Sequence, residues 1–313
     1  MDVILHIGAH RTGTTAFQAY LQANRARLAA EGTAIWLPAD IRAGPLAGLM
    51  KRPGGRARAL ADLRLARRLN RALARLRDGG ASRLILSEEN LLGTMASCLS
   101  VGMPYGDAWG RMRRLDRLFG GRIRRVGLGL RAPAPWWASV LAFRLGRGGP
   151  VPDAALIGRL ASQGRGWEAV ATDLAAALAG RTLAIWEFET LVSRPRLVLG
   201  ALLGAAPPAD LVRVAHGRNA APSMADLSAR LPASMPPGLV HGKTGRWMPF
   251  SPAQQALLAG RHAAELDRLG RLAAGIEIFG ATGSRPGAGG WKEGQFDDGQ
   301  DRRLEGTRAE GVA

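Results

Sequence analysis

Apolar residues recur along this chain in two periods. Short continuous runs read as buried strands: Val3-Ile4-Leu5 with Ile7, Ala34-Ile35-Trp36-Leu37, the Arg83–Ser87 segment, 126–131 and 182–188. Between them the period turns helical. From Ala16 onward Phe17, Tyr20, Leu21 and Leu28 share one face. Residues 56–77 place Leu60, Leu63, Leu69, Leu73 and Leu76 on an apolar stripe, with eight arginines and one acid, Asp62, covering the rest. Asp107 to Phe119 puts Trp109, Met112, Leu115 and Leu118 on the side expected to be buried. A helix opening with Ala-Pro-Ala-Pro carries Trp136, Trp137 and Ser139, and further helices are expected over 153–179, 194–204 and 252–273. Residues 39–55 and 94–106 read as loops, and 205–250 as irregular chain. The alternation predicts an α/β fold, a central parallel sheet of about five strands with helices on both faces. Gly127 and Gly129 in the fourth strand predict close approach of a neighbouring backbone. One domain is expected over residues 1–280, and the polar stretch 281–313 reads as a disordered tail.

Composition narrows the class. The 313 residues, 47% hydrophobic, suffice for a large single core. A lone cysteine, Cys98, leaves no internal disulfide and is consistent with a reducing compartment. No apolar run reaches the length of a membrane span and no leader is visible, so a soluble cytoplasmic protein is expected. The net charge of +18 is the strongest compositional feature. It would steer nucleic acid, anionic membrane or an acidic substrate toward the protein. A coding bias toward Ala, Gly, Leu and Arg is an equal explanation.

Chemistry concentrates at the first strand. The apolar run breaks at Gly8 into a loop closed by Gly13, Thr14 and Thr15, and a helix follows at once. A glycine loop between strand and helix N-terminus cradles phosphate with backbone N–H groups. The spacing Gly8-x4-Gly13 has the frame of an ATP-binding loop, but Thr14 stands where that loop requires lysine. The nearest cation is Arg11, within the loop.

These residues carry a resemblance. His-Ile-Gly-Ala-His-Arg-Thr-Gly-Thr-Thr (6–15) is similar to the 5′-phosphosulfate loop of sulfotransferases that use 3′-phosphoadenosine 5′-phosphosulfate. Arg11 falls at the basic position, as in several carbohydrate sulfotransferases, and the chain resembles the bacterial sulfotransferases of this kind. The resemblance implies that Arg11, Thr12, Gly13, Thr14 and Thr15 hold the 5′-phosphosulfate. It extends to Arg131 at a strand end and Ser139 eight residues on, the spacing with which the family binds the 3′-phosphate. Gly242-Lys243-Thr244-Gly245-Arg246-Trp247 resembles a late Gly-x-x-Gly-x-Trp motif, which implies a further phosphate contact from Lys243 and Gly245. The tryptophan that stacks on adenine in the cytosolic enzymes is Ala16 here; Trp136, Trp247 and Phe17 are the alternatives.

The implied reaction passes a sulfuryl group in line to a hydroxyl or amine, on a carbohydrate or glycoconjugate acceptor, with an anionic polysaccharide or glycolipid headgroup among the candidates. It needs no metal. Arg11 would stabilise charge on the departing phosphate, and a general base must take the acceptor proton. Glu89 is the first candidate, followed by Glu88, His10 and the remote His216. Other readings are a P-loop kinase, a basic nucleic-acid-binding protein gripping phosphates through its arginine helices, and a non-catalytic scaffold of the same fold.

Overall fold

The structure, a computed structural model, describes residues 1–50, 55–214, 222, 227, 246–271 and 275–279. Six strands form one parallel sheet: β1 Asp2–His6, β2 Thr33–Trp36, β3 Arg83–Ser87, β4 Ile123–Leu130, β5 Thr182–Glu187 and β6 Ile276–Phe279. Their order is β2-β3-β1-β4-β5-β6. The sixth strand was not expected from the sequence, because Ile276-Glu277-Ile278-Phe279 is short and only half-buried at the sheet edge. The helices are α1 Thr14–Ala23, α2 Arg25–Ala29, α3 Pro38–Ala43, α4 Gly55–Asp78, α5 Met95–Val101, α6 Ala108–Leu118 and α7 Pro133–Leu145. They continue as α8 Ala154–Ser162, α9 Trp167–Leu178, α10 Phe188–Leu191, α11 Pro195–Leu203 and α12 Pro252–Leu269. A 3₁₀ turn, Glu89–Leu92, follows β3.

Alternate strand residues feed two cores, as the two-residue period requires. Ile4, Ile35, Ile85, Ala184 and Trp186 pack under α1 and α11. Val3, Leu5, Leu84, Leu86, Leu183 and Ile185 pack under α4, α6, α7, α9 and α12. In β4 Gly127 and Gly129 face the first of these cores, and side chains explain them. A Cβ on Gly127 would lie 2.2 Å from Leu202 and 2.8 Å from Trp186; one on Gly129 would meet Trp186 and Thr12. The close approach is to bulky side chains, not to a neighbouring backbone.

Several local expectations change. Residues 94–106 contain α5, opened by a Thr94–Ser97 capping box, and 39–55 contain the short α3. The 153–179 segment is two helices, separated at Gln163 to Gly166. The first helix breaks at Asn24. Leu60 and Leu63 lie on the solvent side of α4, whose buried stripe is Leu65, Leu69 and Leu73. Trp109 is also exposed, because α6 turns Met112, Leu115 and Leu118 inward one residue out of its phase. No helix among the described residues is long and apolar enough to cross a membrane. The stretch 281–313 lies outside the described residues.

The topology locates a crevice. The chain leaves β1 toward the α1 face, but leaves its neighbours β3 and β4 toward the opposite face, where α5, α6 and α7 lie. Diverging connections at the carboxyl ends of parallel strands open the cleft in which such sheets bind ligands.

Candidate active site

The loop after β1 lies at that switch point. Ile7 and Ala9 donate to the carbonyls of Gly127 and Gly129 at 3.1 and 2.9 Å, so pairing with β4 continues past the strand end. Left-handed backbone at Gly8, Arg11 and Gly13 (φ 96°, 61° and 77°) then curls the chain into α1. The hydroxyls of Thr12 and Thr14 donate inward to the Ala9 carbonyl, at 2.6 and 3.1 Å, and stiffen the curl. Thr14 thus contributes its hydroxyl proton to the loop rather than to a ligand. Gly13 precedes α1 with no side-chain cap. The first-turn N–H groups of a helix have no intrahelical partner and suit an anion.

Two arginines meet at this loop, one from the loop itself and one from the end of β4. Arg11 donates through Nε to Ser139 Oγ on α7 at 2.9 Å, and its guanidinium lies 5.1 Å from the Phe143 ring centre. Burial, with the charge of Arg147, lowers the Arg11 pKa below its ordinary value. Arg131 stands one residue past β4 and donates to the Arg11 carbonyl at 3.0 Å. Its own carbonyl accepts from the Trp167 indole at 2.7 Å, and its guanidinium lies over Phe188 at 4.6 Å. Burial above all, then Arg246 and Arg11, pull Arg131 down to about 10, against the opposing Glu189. The Arg131 Nε is buried with no hydrogen-bond partner, 3.9 Å from the Glu189 carboxylate. A buried donor of this kind, in a cluster of like charges, gains from an anion. Arg11 therefore links Arg131 and Ser139, which do not bond each other directly.

The end of β3 carries the carboxylates, and their surroundings differ. Glu88 is fully buried: Arg42 holds both oxygens at 2.8 Å, and Asn90 donates its backbone N–H and its side-chain amide at 3.1 and 2.7 Å. Glu89 is 22% exposed, accepts from Gln18 at 3.1 Å and lies 3.7 Å from Arg42. It crosses over Gly8, where a Cβ would come within 3.1 Å of the Glu89 Cβ. His10 is buried, and its backbone N–H donates to the Tyr105 hydroxyl at 2.8 Å. Its ring bonds Tyr105 through Nδ1 at 2.7 Å and Asn90 Oδ1 through Nε2 at 3.3 Å. Asn90 Oδ1 can only accept, which assigns the proton to Nε2 and makes Nδ1 an acceptor. Burial lowers the His10 pKa despite Glu89, and the neutral ring has both nitrogens engaged.

On the other side of the loop opens a cleft of about 320 Å³, whose walls include Thr12, Gly13, Phe17, Tyr20, Trp186 and Phe188. His6 closes its floor, stacked on Trp186 and bonded to Ser87 at 2.8 Å, with its pKa lowered to about 3 by burial. Of the three aromatic residues expected to stack on a base, only Phe17 lines the cleft. Trp136 is buried and donates to the His10 carbonyl at 2.8 Å, and Trp247 is buried away from it.

Arg11, Thr12, Gly13, Thr14, Arg131 and Ser139 are thus brought together, with Glu88, Glu89 and His10 along one wall. Thr15 is exposed on the first turn of α1. Lys243, Gly245 and His216 lie outside the described residues. Gln18, Arg42, Asn90, Tyr105, Phe188 and Glu189 went unread in the sequence as parts of the site. Asn90, Phe188 and Glu189 carried a signal, as residues just past a strand's carboxyl end. No family model matches the chain, and no curated protein or solved structure is significantly similar to it.

Proposed function

We propose that this protein is a sulfotransferase that takes its sulfuryl group from 3′-phosphoadenosine 5′-phosphosulfate and delivers it to a hydroxyl or amine, on a carbohydrate or glycoconjugate. The observation that carries the reading is the linked pair of cations at the switch point. Arg11 sits in an anion loop and Arg131 in a buried pocket, 3.0 Å from it through the Arg11 carbonyl, beside an aromatic cleft that begins at Thr12 and Gly13. Such a site suits a ligand with two separate anions and a flat apolar base. A triphosphate with Mg²⁺ would instead call for a lysine at position 14.

In this reading the loop N–H groups and Arg11 hold the 5′-phosphosulfate, Arg131 and Ser139 hold the 3′-phosphate, and Phe17, Trp186 and Phe188 flank the adenine. The donor supplies an activated S–O bond. Glu89 takes the acceptor proton as the acceptor oxygen or nitrogen bonds to sulfur and the bridging S–O bond breaks. The electron pair leaves on the phosphate oxygen, whose growing charge Arg11 and the loop stabilise. Glu88 is fully committed to Arg42 and Asn90, and His10 to Tyr105 and Asn90, so Glu89 is the base and these two are its supports.

Calorimetric titration with adenosine 3′,5′-bisphosphate, in parallel with ATP–Mg²⁺, tests this. The bisphosphate is expected to bind without metal, and Arg131→Ala to lose about 1.5–3 kcal/mol, the scale of a hydrogen bond to a charged group. Binding of ATP–Mg²⁺ with no affinity for the bisphosphate would overturn the reading in favour of a kinase-type loop.

A further inference from the structure

We propose that the solvent face formed by α4 and α6 docks on an anionic lipid bilayer. The two helices are joined by a buried fork from Arg114 to Asp62 at 2.6 Å, and Arg122, beyond the end of α6, donates to Asn70 of α4 at 3.3 Å. On α4 the residues Arg56, Leu60, Leu63, Arg64, Arg67 and Arg71 follow one another at helical steps along the outer side. Leu60 and Leu63 are 55% and 48% exposed in the middle of that arginine field. On α6 Trp109, 51% exposed, lines up with Arg113 and Arg117 at four-residue steps. Met50 and Val101 extend the apolar border. Met50 shares a crevice with Arg111 and Arg114, and Val101 lies against Gly106 at the approach to α6. Of seven large apolar side chains exposed among the described residues, five belong to this face and its border.

Most arginines on the outer side of these helices carry no ion pair within the protein. Arg114 is committed to Asp62 and Arg77 to Asp78. Among the described residues Arg56, Arg64, Arg67, Arg71, Arg113 and Arg117 meet no carboxylate. Exposed leucine and tryptophan set among arginines match the boundary between lipid headgroups and acyl chains. There the apolar tips insert while the guanidiniums meet phosphates. A second copy of this chain is a poor occupant, because a two-fold contact would set arginine against arginine. A nucleic-acid backbone would use the arginines and leave the leucines in water. The face also borders the candidate site: Arg111 stacks above Gly93, which ends the 3₁₀ turn begun by Glu89. Docking would thus present the crevice to acceptors in the headgroup layer. Only this last consequence rests on the sulfotransferase reading.

The test is flotation of the full chain with vesicles of phosphatidylcholine, with and without phosphatidylglycerol, at physiological salt. Binding is expected to the anionic vesicles alone. Replacing Arg64, Arg67 and Arg71 by Gln should weaken it roughly 100-fold, about fivefold per arginine. Leu60→Gln with Leu63→Gln and Trp109→Gln should weaken it at least ~10-fold, with melting temperature unchanged in both variants. Absence of vesicle binding overturns the proposal. So does vesicle binding that the apolar triple leaves intact while duplex DNA binds as tightly, which would mark a general nucleic-acid surface. A self-association that the apolar triple abolishes, without vesicle binding, overturns it in favour of a dimer face.

Discussion

Glu88 and Glu89 are neighbours in sequence with opposite surroundings. Strand alternation turns Glu88 inward at the carboxyl end of β3, where Arg42 and Asn90 saturate it, and leaves Glu89 over the loop, partly exposed, with one bond from Gln18. Their variants should separate accordingly. Glu89→Gln should leave bisphosphate affinity intact and cut turnover by at least ~100-fold, the scale of a lost general base, in a single-turnover assay. Unchanged turnover would remove Glu89 from the role. Glu88→Gln should act through folding, lowering stability by about 1.5–3 kcal/mol in urea denaturation as charge-assisted bonds to Arg42 weaken. The sequence marked both carboxylates at a strand end. It could not rank them by environment, because Arg42 and Gln18 reach them from helices that only the fold brings near.

At the scale of elements, the loop and α1 form the best-specified unit. Gly13 holds a left-handed backbone at φ 77°, and a Cβ there would lie 3.2 Å from Val192. Gly13→Ala should therefore lower stability by about 1–2 kcal/mol, the cost of that conformation for an L side chain. It should also reduce bisphosphate affinity by pushing Val192 and Phe188 off the cleft wall. Chemical denaturation and calorimetry on the same variant would check both, and full affinity would show that the cradle tolerates the shift. This unit was legible because strand run, glycines and helix spacing are contiguous in sequence. The helices on the basic face were legible as helices, and so were most of their buried positions: Leu69, Leu73, Met112, Leu115 and Leu118 are in the core as their spacing predicts. Leu60, Leu63 and Trp109 followed the same apolar pattern, yet packing leaves them in solvent and buries Leu65 instead.

Across the whole molecule, acid stability should follow the buried histidines. His6 is lowered to about 3 and His262 to about 4, both by burial, and His10 is lowered as well. Below about pH 6.5 the unfolded chain binds protons on these rings that the folded chain refuses, so stability falls as pH falls. Each ring that stays neutral should cost about 1.4 kcal/mol per pH unit in that window, until its own folded pKa is reached. Denaturation midpoints measured from pH 7 to 4 should shift steadily downward. A His6→Asn profile that falls as steeply as the wild type's would show that His6 does not contribute. The α/β class, the parallel sheet and the glycine loop between β1 and α1 were determined by sequence alone, because each rests on periodicity or on residues a few positions apart. The sixth strand, the union of Arg11 with Arg131 and Ser139, the tethering of His10 by Tyr105 and the aromatic cleft were decided only by tertiary structure. Their partners lie tens to more than a hundred positions apart, and strand order, which no local pattern encodes, sets which of them meet at the end of β1.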